Sequence, residues 1–339
     1  MKDLLFFCQL LSTAFLFCGL PITPLAHAEA LQFALVAKQV DHPFFIHVGE
    51  GCTEVAKTQG DTCLLLGASG PAHFRRQNKV LEEAINRGDL HGIALSVTHS
   101  QWLANHALKR VGQIPLITFD SDLEPAQQHL RHGYVGLDNV AFGRQLGLLA
   151  QRFRPQGGML CILSGSPQDT NLQERLQGIR QQLSGIQDKN MAAHRLQGEK
   201  GWNEPNRCPL YAAGSQETAL AQLATLLHSI QVDVVIGNSW TIYQADFFRR
   251  KISPLLAKNE RRGTRPVLIL TADEPDEAQL ALLEDGQVQA YLGAEGREIG
   301  RQSYWMLKRL VQGNPIPERT LVRPRIYLPK ALKDTPKKP

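Results

Sequence analysis

The 339-residue chain is poor in sulfur and indole, with 6 Cys, 4 Met and 4 Trp. No two cysteines form a CxxC pair, which speaks against a structural zinc site. No GxSxG elbow, Walker loop or HExxH motif occurs, so the usual signatures of serine hydrolases, nucleotide hydrolases and zinc proteases are missing. Nor does any pair of carboxylates mark a glycosidase site. The 11 histidines are scattered, and His42, His47, His91 and His99 do not stand at metal-ligand spacing. The net charge of +5 is diluted over the whole length, densest at 261–265 and in the tail. A nucleic-acid binder would gather it into a stripe with aromatics. Short-period repeats, low-complexity tracts and transmembrane-length apolar runs are also lacking. Catalysis, a metal, a cofactor and nucleic acid are therefore not expected.

The first 28 residues read as a secretory signal peptide. Lys2 gives a positive start, residues 4–20 are mostly apolar, and Ala26-His27-Ala28 fits a small-x-small cleavage site. A membrane anchor fits less well, because the run is short, holds Gln9 and breaks at Pro21. Phe17 before Cys18 is wrong for lipid attachment. The mature protein is thus expected in the periplasm. Its cysteines are Cys52, Cys63, Cys161 and Cys208. In an oxidising compartment Cys52–Cys63 is expected as a local disulfide joining the first helix to the second strand. Cys161–Cys208 stays open, since Cys161 lies in an apolar strand where a buried thiol is equally ordinary.

What is present is alternation. Hydrophobic content of 43% with 20% charged residues suits a sizeable core. Strand-like runs occur at 31–37, 62–66, 92–97, 116–119, 159–163, 191–196, 232–236, 267–271 and 288–292. Helical patterns fall between them at 43–57, 75–87, 102–111, 142–153, 172–183, 216–230, 242–256, 278–284 and 298–311. Continuously apolar strands spaced by helices predict parallel sheets covered on both faces. Nine of them suggest an α/β fold of two Rossmann-like lobes, with a seam near 133–139 and a ligand cleft at the strand ends. The tail from 330 is polar enough to be loose.

Several stretches carry a resemblance. "FALVAKQVDHPFF" (33–45), "QNKVLEEAINRGDLHGIALSV" (77–97), "IPLITFDSD" (114–122), "YVGLDNVAFGRQLG" (134–147) and "GSPQDTNLQERLQGIRQQL" (165–183) occur in order. Together they resemble periplasmic binding proteins of the ribose/galactose type, the sugar-binding relatives of the LacI-family regulators. The likeness runs from about residue 31 to 329 and loosens in the last third. It implies the type I binding-protein fold, with hinge closure around a ligand. The lobes would be 29–138, completed by about 294–323, and 139–293, with a last crossing and loose tail at 324–339. It also implies a small polar, sugar-like ligand, delivered to the permease of an ABC importer. Alternatively the closed form would signal to the periplasmic domain of a membrane histidine kinase.

Polar and aromatic residues at strand ends supply the candidate site: Lys38, Asp120, Asn171, Arg175, Trp202 and Asn238. Asp120 leads, because a carboxylate leaving a buried strand needs partners; its local alternative is to cap a turn with Ser121. "TNLQ" at 170–173 fits a capping box and starts a helix near Thr170, placing Arg175 in its early turns. Trp240 is the alternative aromatic to Trp202. In the opening turn Pro43 suits a first helical turn, capped by Asp41 or His42. Helical spacing sends Phe45 to the core, while the resemblance makes Phe44 the stacking wall and His42 its polar neighbour. The sugar pattern is also broken. Ala272 stands where the family usually has Asp, with Asp273 one place late, and Ala294 where it has Gln. Lys38 replaces a small polar residue. It would bind an anionic ligand together with Arg175, or pair internally with Asp120 or Glu295.

Overall fold

The structure, a computed structural model, describes residues 30–239 and 244–333. The expected signal peptide and Trp240 lie outside them. Thirteen strands are seen among the described residues. They are β1 (Gln32–Val36), β2 (Thr62–Leu66), β3 (Gly92–Leu95), β4 (Leu116–Phe119), β5 (Tyr134–Gly136), β6 (Gly158–Ser164) and β7 (Trp202–Asn203). The chain continues with β8 (Leu210–Tyr211), β9 (Val234–Gly237), β10 (Val267–Ala272), β11 (Ala290–Gly293), β12 (Arg319–Leu321) and β13 (Arg325–Tyr327). The helices are α1 (Pro43–Thr58), α2 (Phe74–Ile85), α3 (Ser100–Asn105), α4 (Asn139–Phe153), α5 (Thr170–Ser184) and α6 (Gln216–Ser229). After these come α7 (Ala245–Lys251), α8 (Ser253–Arg261), α9 (Glu277–Glu284), α10 (Gly296–Val311) and the turn α11 (Lys330–Lys333).

The strands form two sheets, one per lobe, ordered β12-β5-β4-β3-β1-β2 and β13-β11-β10-β9-β6-β7, with β8 also on β6. All pairings are parallel except β11 with β13. The central strands are buried throughout, as helices on both faces require. Register levels the strand ends: Val36 pairs with both Leu66 and Leu95, so β1, β2 and β3 finish at one edge. The chain passes between the sheets after β5, after β11 and after β12, so the lobes share three connections.

Each lobe contains a helix pair in backbone-to-backbone contact. In one, a Cβ on Gly51 of α1 would meet the Arg297 carbonyl oxygen at 2.0 Å, and one on Gly300 of α10 the Val48 carbonyl oxygen at 2.0 Å. In the other, a Cβ on Gly178 of α5 would meet the Val140 carbonyl oxygen at 2.0 Å and one on Gly143 of α4 that of Arg175 at 2.1 Å. α4 and α10 each follow one of the crossings between the sheets, and reciprocal glycines fix the spacing of each pair. Cys52 of α1 is joined to Cys63 of β2, and Cys161 of β6 to Cys208.

Some elements depart from the pattern. Residues 191–196 form no strand: a 3-10 turn occupies Lys189–Ala192, and the short edge strand is β7. The helix expected over 102–111 breaks after Asn105 and resumes as a 3-10 turn at Ala107–Arg110. That expected over 242–256 is split between α7 and α8, with Pro254 in the first turn of α8. The helix-start prediction near Thr170 agrees with α5, but its N-cap is Asp169. Lys330–Lys333, expected to be loose, forms a helical turn. Among the described residues no helix is long and apolar enough to cross a membrane.

Candidate functional site

A cavity of about 410 Å³ lies where the carboxyl ends of the two sheets meet, the position at which open α/β sheets bind ligands. Lys38, His42, Phe45, His73, Phe74 and His99 line it from the first lobe, with Asp120 at its floor. Gly165, Asp169, Asn171, Leu172 and Ser239 are among those that line it from the second.

Its polar centre is a cluster spanning the lobes. Lys38, one residue past the apolar stretch that ends at Ala37, is 7% exposed and donates to Asp169 Oδ2 at 3.0 Å and to Asn171 Oδ1 at 3.4 Å. Its Nζ is also 3.7 Å from Asp120 Oδ2. Asp120 accepts the Ser96 hydroxyl at 2.8 Å and the Asn171 amide at 3.1 Å. Its backbone is left-handed, with φ of 57°, a conformation Asp tolerates better than most residues. The alternative turn-capping role therefore gives way to side-chain bonds, one within the lobe from Ser96 and one across the lobes from Asn171. Asp169 occupies the N-cap of α5 without capping it; its carboxylate turns to Lys38 instead. Burial raises the Asp169 pKa above the usual carboxylate value, and Lys38 opposes the shift.

The first-lobe wall repeats one device. His42, His73 and His99 are the N-caps of α1, α2 and α3, and each ring accepts on Nδ1 from Phe44, Arg75 and Trp102 backbone N–H at 3.3, 3.3 and 3.4 Å. A neutral imidazole that accepts on Nδ1 carries its proton on Nε2, so three cavity-lining rings share one tautomer. Phe74 stacks on His73 at 4.9 Å between ring centroids and meets His99 edge-on at 5.5 Å.

The candidates from sequence divide accordingly. Lys38, His42, Asp120 and Asn171 line the cavity; Phe44, Arg175, Trp202 and Asn238 do not. Phe45 packs in the core as expected, but it, and not Phe44, also reaches the cavity. Phe45 lines the cavity, edge-on to His42, whereas Phe44 is 1% exposed within the core on the side where α10 begins. Trp202 pairs with Gly158 at the amino end of β6, so it is held at the end of the sheet away from the cavity, and it packs in the core. Arg175 is fully buried; its Nε donates to Asn139 Oδ1 at 2.9 Å and its Nη1 to the Asn238 carbonyl at 3.1 Å. It lies 4.5 Å over the Phe142 ring, and burial lowers its pKa below the ordinary arginine value. It thus ties α4 to the end of β9. Asn238 is consumed in the same junction, donating to the Leu172 carbonyl at 3.4 Å, and it is Ser239 that reaches the cavity.

Asp273 is likewise diverted: it accepts the Gly296 backbone N–H at 2.6 Å and contacts His47 Nδ1 at 2.5 Å. Glu295 does not reach Lys38 and instead accepts from Tyr327 at 3.4 Å. Sequence reasoning missed Phe74, His73, His99 and Asp169. A signal for the histidines was available in "DHPFF", "AHFRR" and "THSQW", a histidine at three successive strand-to-helix turns. No group of three or more His, Cys, Asp or Glu among the described residues is placed to hold a metal ion.

No curated protein matches the chain. Solved structures share its fold. GanP, a glucose-galactose binding protein from Geobacillus stearothermophilus, is 20% identical with a TM-score of 0.73, over 91% of this chain and 100% of its own. An ABC transporter solute-binding protein from Agrobacterium vitis, solved with bound D-fucose, is 18% identical with a TM-score of 0.74, over 90% and 98%. The XylFII–LytSN complex contains a chain 18% identical with a TM-score of 0.69, over 88% and 98%. The model of the periplasmic binding protein domain matches residues 33–315, most of the chain. The chain belongs to the periplasmic binding protein family.

Proposed function

We propose that the protein captures a small polar, sugar-like solute between its lobes and hands it to the inner-membrane permease of an ABC importer. One observation carries this reading: the cavity lies between the carboxyl ends of two sheets, with aromatic rings and hydrogen-bonding groups facing into it. Such a mixture holds a polyol, apolar faces against the rings and hydroxyls on the polar groups. The assignment places the lobes at 29–138 with 294–323, and at 139–293, after export to the periplasm and removal of residues 1–28. Lys38, His42, Asp120 and Asn171 are its ligand-contacting residues, joined by Phe45, Phe74 and Asp169.

A second reading makes the closed protein a ligand-dependent partner of a sensor kinase's periplasmic domain. Ala272 and Ala294 favour it, standing where the resemblance expects polar sugar ligands, as does a fold neighbour solved in the XylFII–LytSN complex. Native mass spectrometry of protein purified from periplasm, followed by a thermal-shift screen of aldoses, tests the binding itself. A retained solute and a stabilising sugar are expected; a panel without effect refutes capture of sugars. Deleting the gene then separates the partners, since an importer component abolishes uptake of that sugar and a sensor component abolishes only the transcriptional response.

A further inference from the structure

We propose that the solute carries a protonated amine, as a 2-amino sugar does, and that Asp169 holds it. The inference rests on the solute-binding reading and names the ligand class for the same cavity. It begins with Lys38, the cation that would suggest an acidic ligand. Its three N–H groups face Asp169, Asn171 and Asp120, so the ammonium donors are already committed. Arg175, the other cation of that hypothesis, is absent from the cavity wall. It donates to Asn139 and to the Asn238 carbonyl behind that wall.

The charges around the cavity do not balance. Lys38 faces two carboxylates, Asp120 and Asp169, on the wall itself. Behind the wall Arg175 is buried against Asn139 and the Asn238 carbonyl, and Glu174 lies near Arg319. Asp122 is neutralised separately by Arg131 at 2.7 Å. The three imidazoles are engaged as acceptors from backbone N–H groups. On the wall itself two carboxylates thus face one lysine, and the negative charge lies where a ligand would sit.

Asp169 is where that surplus is available. Asp120 uses both oxygens, accepting from Ser96 on Oδ2 and from Asn171 on Oδ1. Asp169 accepts only from Lys38, on Oδ2, and its Oδ1 takes nothing from the described residues. A carboxylate with an open oxygen in a half-enclosed cavity suits an ammonium donor, while Phe45 and Phe74 line the same cavity with aromatic surface suited to the apolar side of a sugar. An acidic sugar would instead meet two carboxylates and a lysine without a spare donor.

Calorimetric titration of ligand-stripped protein with glucose, glucosamine and glucuronate, and with galactose, galactosamine and galacturonate, tests the inference near neutral pH. The amine of at least one set should bind at least about tenfold tighter than its neutral counterpart, and its acid weakest. Asp169→Asn, nearly isosteric, should erase the amine's advantage over its neutral counterpart. Neutral members binding as well as or better than the amines, or acids binding best, overturns the inference while sparing the solute-binding reading. An amine preference that survives Asp169→Asn overturns the role of Asp169. Binding by no member of either set overturns both.

Discussion

Asp120→Ala should destabilise the ligand-free protein as well as weaken binding, and the structure sets the size of the effect. The carboxylate accepts from the Ser96 hydroxyl and the Asn171 amide, at 2.8 and 3.1 Å, and is 4% exposed. Removing it leaves two buried donors without their acceptor, at about 1–3 kcal/mol each. The lower end applies here, because the neighbouring cavity lets water reach them. Alanine at φ of 57° adds strain of about 1 kcal/mol relative to aspartate. Lys38 keeps Asp169 at 3.0 Å, so no cation is stranded. The total is about 3 kcal/mol. Asp120→Asn keeps the shape, the tolerance of a left-handed backbone and one acceptor oxygen, so it should lose only about 1 kcal/mol.

Urea unfolding of ligand-stripped protein, followed by circular dichroism, reads these differences as midpoint shifts at constant slope. The order wild type, Asn, Ala is the expectation. An alanine variant within about 0.5 kcal/mol of wild type, the ordinary effect of an indifferent surface change, would refute the claim that this network supports the free protein. A loss confined to about 1 kcal/mol, the strain contribution alone, would mean that Ser96 and Asn171 do not depend on the carboxylate.

Three further outcomes follow from the geometry. Asp273 raises the His47 pKa above 6.5 through their hydrogen bond, so the protonated pair stabilises fully below that value and fades as pH climbs through the raised one. His47→Asn should therefore cost about 1 kcal/mol near pH 5 and little near pH 9 in urea unfolding; equal losses at both would show that the pair's charge is irrelevant. Gly300→Ala and Gly178→Ala should each cost about 3 kcal/mol by forcing helices apart, which thermal unfolding reads directly, since a Cβ at either site would stand 2.0 Å from a carbonyl oxygen. Cys52 and Cys63, 11 residues apart, should resist thiol labelling until reduced, and replacing both by serine should cost about 3 kcal/mol while leaving ligand affinity intact.

How much of the site was legible follows from how far each residue's fate is decided nearby. Lys38, His42, Asp120 and Asn171 reach the cavity wall because parallel strands deliver their carboxyl ends to one edge, whatever else the fold does. That Phe45 rather than Phe44 reaches the cavity had no such guide. Adjacent helical positions point about 100° apart, and which of these two core rings borders the cavity depends on α10. That helix begins at Gly296, where a Cβ would lie 3.1 Å from the Phe44 carbonyl oxygen, more than two hundred residues further along the chain. Trp202 was misplaced because a strand of two residues has no periodicity of its own; its position comes from pairing with Gly158. Asp169 shows the same limit most clearly. An aspartate before a helix reads as a cap, and here the cap is given up for a lysine 131 positions away. Local rules bring residues to the strand ends, whereas the charge the cavity presents is set by pairings between lobes, which local pattern does not encode.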